Sequence, residues 1–238
     1  HSAAVTCVRG GGHGLIYTAS QDRVVLVRNE LGHLVRKLTG HAHWINTMAL
    51  SSDFLLRTGP FDHTDPEFEA DDHQGRFEAA QKRWADEMGD RFERMVTGSD
   101  DFTMFLWNPV KANKPLGRMT GHQQLVNSVA FSPDGQFIAS GSFDKSIRVW
   151  SGDTGKFVTT LRGHVGAVYQ VVWSSDSRMI LSASKDTTSK VWSLRTRNMM
   201  EELVGHHDEV YAVDWAPNGG FAASAGKDRL VRLWRGAN

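Results

Sequence analysis

A chain of 238 residues whose 27 Lys and Arg balance 27 Asp and Glu has no global charge to carry it to nucleic acid or a membrane surface. Its length allows a substantial core in one domain, and no run approaches the roughly 18 apolar residues of a membrane helix. One cysteine, Cys7, excludes an internal disulfide framework and fits a reducing compartment.

In chain order, residues 1 to 28 predict three strands, with a Gly-rich turn at Gly10 to Gly14 and Cys7 as a small apolar residue on the first. The GGGHG turn lacks the Lys-Ser/Thr and the helix of a phosphate loop, so it reads as a hairpin turn. Residues 29 to 40 predict an outer strand. Gly40 and His41 then open the run WINTMAL, and an insertion follows. Arg57 to Arg94 holds eleven acidic and six basic residues and predicts a helix over Arg76 to Met88, capped by Asp71 or Asp72 and ended by Gly89. Phe77, Ala80, Trp84 and Met88 share one face, which either covers the insertion's own sheet or projects toward a partner. The pairs His41/His43 and His206/His207 have no carboxylate or thiol cluster beside them, so no metal site and no cofactor are expected.

The most regular stretch is Gly121 to Trp150, a Gly-His pair followed by three alternating runs separated by turns. It recurs every 42 residues: His122, Ser140, Asp144 and Trp150 are matched by His164, Ser182, Asp186 and Trp192, then by His206, Ser224, Asp228 and Trp234. Upstream, Thr97, Asp101 and Trp107 keep the spacing, but His41 lies about 38 positions farther from its aspartate because of the insertion. The first unit has His1, Thr18 and Asp22, with Arg28 where tryptophan is expected, so its internal hydrogen-bond set should be incomplete. Units of this length are the signature of stacked repeat architectures.

This pattern resembles the WD-repeat family, which implies an all-β fold. The expected architecture is a β-propeller with five blades present as part of a larger, seven- or eight-bladed propeller, carrying one helical insertion. The units run over 1–39, 40–120 with the insertion at 57–94, 121–162, 163–204 and 205–238. Open end blades would leave apolar faces of several hundred Å². The resemblance implies that the repeated His, Ser/Thr, Asp and Trp are structural. Physics agrees, since a buried indole N–H needs an acceptor and a hydroxyl supplies one. A Ser-His-Asp hydrolase triad is excluded by repetition, because catalysis needs one reactive serine with an oxyanion hole. No enzyme is expected.

Three stretches are more specific. GHAHWINTMALSSDFLLRTGPFDH with the acidic insertion and RMVTGSDDFTMFLWNP, KPLGRMTGHQQLVNSVAFSPDGQFIASGSFDKSIRVW, and GHHDEVYAVDWAPNGG are similar to the Notchless family. That resemblance implies a non-catalytic docking scaffold of the nucleus and nucleolus. It would act in large ribosomal subunit assembly, bound to precursor particles through ribosomal proteins, assembly factors and rRNA. It also implies remodelling by the ATPase midasin through an N-terminal domain not seen in this sequence, with neither membrane nor small-molecule substrate. The family's top-face positions map onto Trp44, Asn46, Asp100, Leu125, Asn127, Phe143, Ala167, Tyr169, Lys185, Glu209, Tyr211 and Lys227 as partner-binding residues. Two of the four aromatics Trp44, Phe143, Tyr169 and Tyr211 should be well exposed. Phosphate contacts would fall to Lys145, Arg148, Lys185, Lys190, Arg195, Arg197, Lys227 and Arg229. The alternatives are a signalling scaffold or a substrate receptor of a cullin-type ubiquitin ligase. For the latter, Trp192-Ser193-Leu194-Arg195 keeps the Trp and Arg of the adaptor motif but lacks its Asp.

Overall fold

Each repeat folds as an up-and-down sheet whose strands pair in chain order. The computed structural model describes residues 1–60, 73–89 and 91–235. Blade 1 comprises β1 (Val5–Gly10), β2 (Leu15–Ser20), β3 (Val24–Asn29) and β4 (Leu34–Thr39). Blade 2 has β5 (Ile45–Leu50), β6 (Met95–Ser99), β7 (Met104–Trp107) and β8 (Gly117–Met119), with α1 (Asp53–Thr58) and α2 (His73–Met88) between its first two strands. Blade 3 has β9 (Val126–Phe131), β10 (Phe137–Ser142), β11 (Ser146–Ser151) and β12 (Phe157–Arg162). Blade 4 has β13 (Val168–Trp173), β14 (Met179–Ser184), β15 (Ser189–Ser193) and β16 (Met199–Leu203). Blade 5 has β17 (Val210–Trp215), β18 (Phe221–Gly226) and β19 (Val231–Arg235). The fold is thus part of a WD-repeat propeller, with two helices among the described residues.

The hydrophobic core lies between blades. Four clusters correspond to four junctions, and each joins the face of one sheet to the inner strand of the next. Such stacking buries both faces of a middle strand, and β6, from Met95 to Ser99, is buried at every residue. The inner strands contribute apolar residues four and seven positions after the repeat histidine: Ile45 and Met48, Val126 and Val129, Val168 and Val171, Val210 and Val213. Burying side chains of this size contributes about 1.5–3 kcal/mol each. Gly98 and Gly141 make room for these pairs, since a Cβ at either would fall 2.8 Å from the next blade's valine. In blade 1 the equivalent pair, Val5 and Val8, is exposed, as are Val231 and Leu233 on the last strand described.

The insertion differs from its sequence reading in three respects. A short helix, α1, precedes the predicted one. The longer helix starts at His73, about a turn before Arg76, while the proposed capping residues Asp71 and Asp72 lie outside the described residues. Trp84 covers the glycine turn of blade 1 rather than its own blade, with its indole edge-on to the His13 ring. A side chain at Gly12 would collide with that indole, which explains why this turn is glycine there. Phe77, on the predicted apolar face, stays exposed, while Met88 is buried.

Candidate docking faces

The repeated polar set fixes one end of the propeller. In blade 3, Trp150 Nε1 donates to Ser140 Oγ at 2.9 Å, and that hydroxyl lies 2.8 Å from His122 Nε2. His122 Nδ1 meets Asp144 Oδ2 at 2.8 Å. A neutral imidazole protonated on Nδ1 satisfies every member: indole to hydroxyl, hydroxyl to Nε2, Nδ1–H to carboxylate. The aspartate also accepts from the Gln123 and Ser146 N–H groups and so closes the turn. The same geometry recurs through His41, Thr97, Asp101 and Trp107, through His164, Ser182, Asp186 and Trp192, and through His206, Ser224, Asp228 and Trp234. In blade 1, His1, Thr18 and Asp22 connect likewise, but Arg28 instead donates to the Gly32 carbonyl. Burial opposes charge on Asp101, Asp144 and Asp186, but the hydrogen bonds from His and the turn prevail and hold these carboxyls well below the usual range.

These sets pin a tight turn in each blade, and the residue after each aspartate takes a left-handed backbone: Arg23, Phe102, Lys145, Thr187 and Arg229, with φ of 66–70°. This end, the top, carries the sequence-predicted partner residues. Trp44 and Tyr211 are exposed at 46% and 45%. Phe143 and Tyr169 are half-buried and form with Tyr211 an edge-to-face chain, at centroid distances of 5.5 and 5.2 Å. Ala167 is buried. Phe102, which the family positions do not include, is 41% exposed because its left-handed turn lifts it out.

Several predicted contact residues face the neighbouring blade. Asn46 Nδ2 donates to the Val126 carbonyl at 3.2 Å and to Asp100 at 2.6 Å. Asn127 Nδ2 donates to the Tyr169 carbonyl at 2.7 Å, and Tyr169 donates its hydroxyl to Glu209 at 2.7 Å. Thr6, at the same repeat position in blade 1, donates to the Ile45 carbonyl. Burial and the Glu209 carboxylate push the Tyr169 phenol up to about 12. Leu125 is half-buried, Lys185 is exposed, and Lys227 meets Asp208 at 3.5 Å.

The described part of the insertion holds the opposite, bottom end. Glu93, fully buried, accepts from the Tyr17 hydroxyl at 2.8 Å and the Gly12 N–H at 3.1 Å, and also bonds Ser52 of its own blade. Arg94 reaches blade 3 through Asp153 and the Gly135 carbonyl. Arg57 of α1 crosses to blade 5 and donates to Asp214 at 2.9 Å and to the Trp215 carbonyl at 3.2 Å. Between α1 and the inner strands lies an open channel of about 860 Å³, lined by Arg9, Asp53, Arg57, Asn127, Gln170 and Asp214 among others. Cys7 is half-buried on β1, and burial pushes its thiol up. Among the described residues no group of three or more His, Cys, Asp or Glu is placed to hold a metal ion, and no helix is long and apolar enough to cross a membrane.

Of the cationic candidates, Lys190 is buried against Glu202, and Arg148 lies over the Phe157 ring with its Nε buried. Lys145, Lys185 and Arg229 are exposed at the top, and Arg195 and Arg197 at the bottom.

Comparison with known proteins agrees with this architecture. The family "WD domain, G-beta repeat" matches residues 113–151, 155–193 and 197–235. The chain is 52% identical over 133 residues to Ribosome assembly protein 4 of Saccharomyces cerevisiae, covering 56% of this chain and 26% of that protein. It is 55% identical over 163 residues to the Notchless protein homolog of Arabidopsis thaliana, covering 68% and 34%. To Protein Notchless of Drosophila melanogaster it is 51% identical over 139 residues, covering 56% and 28%. The chain thus spans between about a quarter and a third of the length of these relatives.

Proposed function

Because the chain is a WD-repeat protein of the Notchless family, we propose that it is a non-catalytic docking scaffold in assembly of the large ribosomal subunit. It would act in the nucleus and nucleolus on precursor particles. Two relatives bear the name ribosome assembly protein, and that name supports a role in ribosome assembly. In this reading the propeller grips the particle while midasin acts through a domain elsewhere in the full-length protein. The scaffold role rests on the repeated His-Ser/Thr-Asp sets, whose serine hydroxyls accept an indole N–H at the core and so are held in structural bonds.

The observation that carries the docking reading is the aromatic top face. Trp44 and Tyr211 stand half out of the surface, with Phe143 and Tyr169 braced behind Tyr211. Rigid aromatic anchors of this kind dominate protein interfaces. Among the described residues the insertion lies at the other end. Replacing Trp44 and Tyr211 with alanine in the full-length protein should reduce its co-sedimentation with precursor particles at least tenfold, with thermal stability close to that of the parent. Full co-sedimentation of the double variant would remove the top face from the account.

A further inference from the structure

The bottom rim holds a charge pattern that neither the net charge nor the repeat signature reveals. The turns joining the third and fourth strands of blades 2, 3 and 4 occupy successive positions along this rim. They carry Lys111 and Lys114, then Lys156, then Arg195 and Arg197, all exposed. The same turns contain one carboxylate, Asp153, and Arg94 of the insertion already engages it. Among the described residues none of the five cations makes an ion pair. Arg178 flanks the array on the adjoining turn, where its carbonyl accepts from the Leu194 N–H at 2.9 Å, and its guanidinium meets Asp176 at 3.8 Å.

We propose that this arc over blades 2 to 4 binds the phosphate backbone of double-stranded RNA, a partner class that rests on the ribosome-assembly reading. Five cations spread over three turns fit a polyanion with regularly spaced charges better than one acidic side-chain cluster. The arginines add planar forks suited to phosphate oxygens. The two rings beside these turns already carry cations, Lys111 over Phe92 at 5.9 Å and Arg148 over Phe157 at 5.6 Å, so they are not open platforms for unpaired bases, and the contact is with backbone and is sequence-independent. The arc lies opposite Trp44 and Tyr211, so RNA on one end and protein on the other can engage together.

The test is fluorescence anisotropy of a labelled RNA hairpin with the purified chain between 50 and 200 mM salt. On a duplex, each phosphate left without its cation flattens the slope of log affinity against log salt by about 0.9. The variant K111A/K114A/K156A/R195A/R197A should lose at least tenfold in affinity at low salt and show a flatter slope. The variant R23A/K37A/R162A, whose cations are exposed away from the arc, should match the parent, which controls for general loss of positive charge. Circular dichroism of the five-site variant should be unchanged, since all five side chains are exposed. Unchanged RNA affinity in the five-site variant overturns the proposal. So does displacement of the hairpin by polyglutamate at charge equivalence, which would assign the arc to an acidic protein. Hairpin binding that depends on the arc, in a protein that never recovers precursor rRNA from cells, would refute the assembly reading and leave the arc standing.

Discussion

At the residue scale, the repeated His-Ser-Asp-Trp set is one buried network in which each member has a single role, so removing one strands its neighbours. Ser140→Ala leaves the Trp150 N–H and the His122 Nε2 without a partner in the core. The cost should be about 1–3 kcal/mol, read by urea denaturation. Thr18→Ala in blade 1 should cost less, because that set has no indole to strand. Acid has a definite sign here. Asp101, Asp144 and Asp186 have carboxyls held below their unfolded values, so they stabilise the fold above about pH 4 and lose that contribution as pH falls through their folded values. Burial pushes Asp53 up to about 6, so its ionisation opposes folding as pH rises from about 4 to 6. Thermal midpoints should therefore drop steeply below pH 4, and replacing Asp144 by Asn should flatten that drop. A midpoint insensitive to acid in the parent protein would contradict the network. These sets were legible in the sequence because fixed spacing at 42 residues cannot arise from surface residues drifting independently. Asn46 and Asn127 were not legible in the same way: alignment gives a position on the top face, but only packing shows that the amides reach across to the next blade.

At the scale of elements, the insertion is a brace. Its α1 was invisible to periodicity because six residues are too few to display a helical repeat. The seat of Trp84 was equally hidden, since a sequence shows which face of α2 is apolar but not which surface receives it. The triple glycine in blade 1 was the available signal. Glycine suits a hairpin turn, yet Gly12 is needed because the indole of another blade's insertion lies against it. Gly12→Ala should therefore dislodge α2 and make the 73–89 segment sensitive to limited proteolysis. Gly10→Ala should be nearly silent, since a Cβ there meets nothing within 4 Å. Equal protease sensitivity in the two variants would mean that Trp84 is not what holds the helix. Arg57 and Asp214 are both more than half exposed, so this crossing pair contributes orientation more than energy.

At the scale of the whole molecule, blades share their cores, so neighbouring junctions support one another while the two ends of the propeller diverge in character. The top presents braced aromatics over pinned turns. The bottom presents a knitted insertion and a cationic arc within a chain of zero net charge. Sequence reading named Arg195 and Arg197 as phosphate contacts but missed Lys111, Lys114 and Lys156, because the three turns are about 40 residues apart along the chain and meet only when the blades stack. The measurement that tests the central claim most directly is affinity purification of the natural full-length protein at moderate salt, with the eluate probed for large-subunit precursor rRNA and for a cullin adaptor. The account predicts precursor rRNA without adaptor. Adaptor without rRNA would contradict it and direct attention to the turn from Trp192 to Arg195.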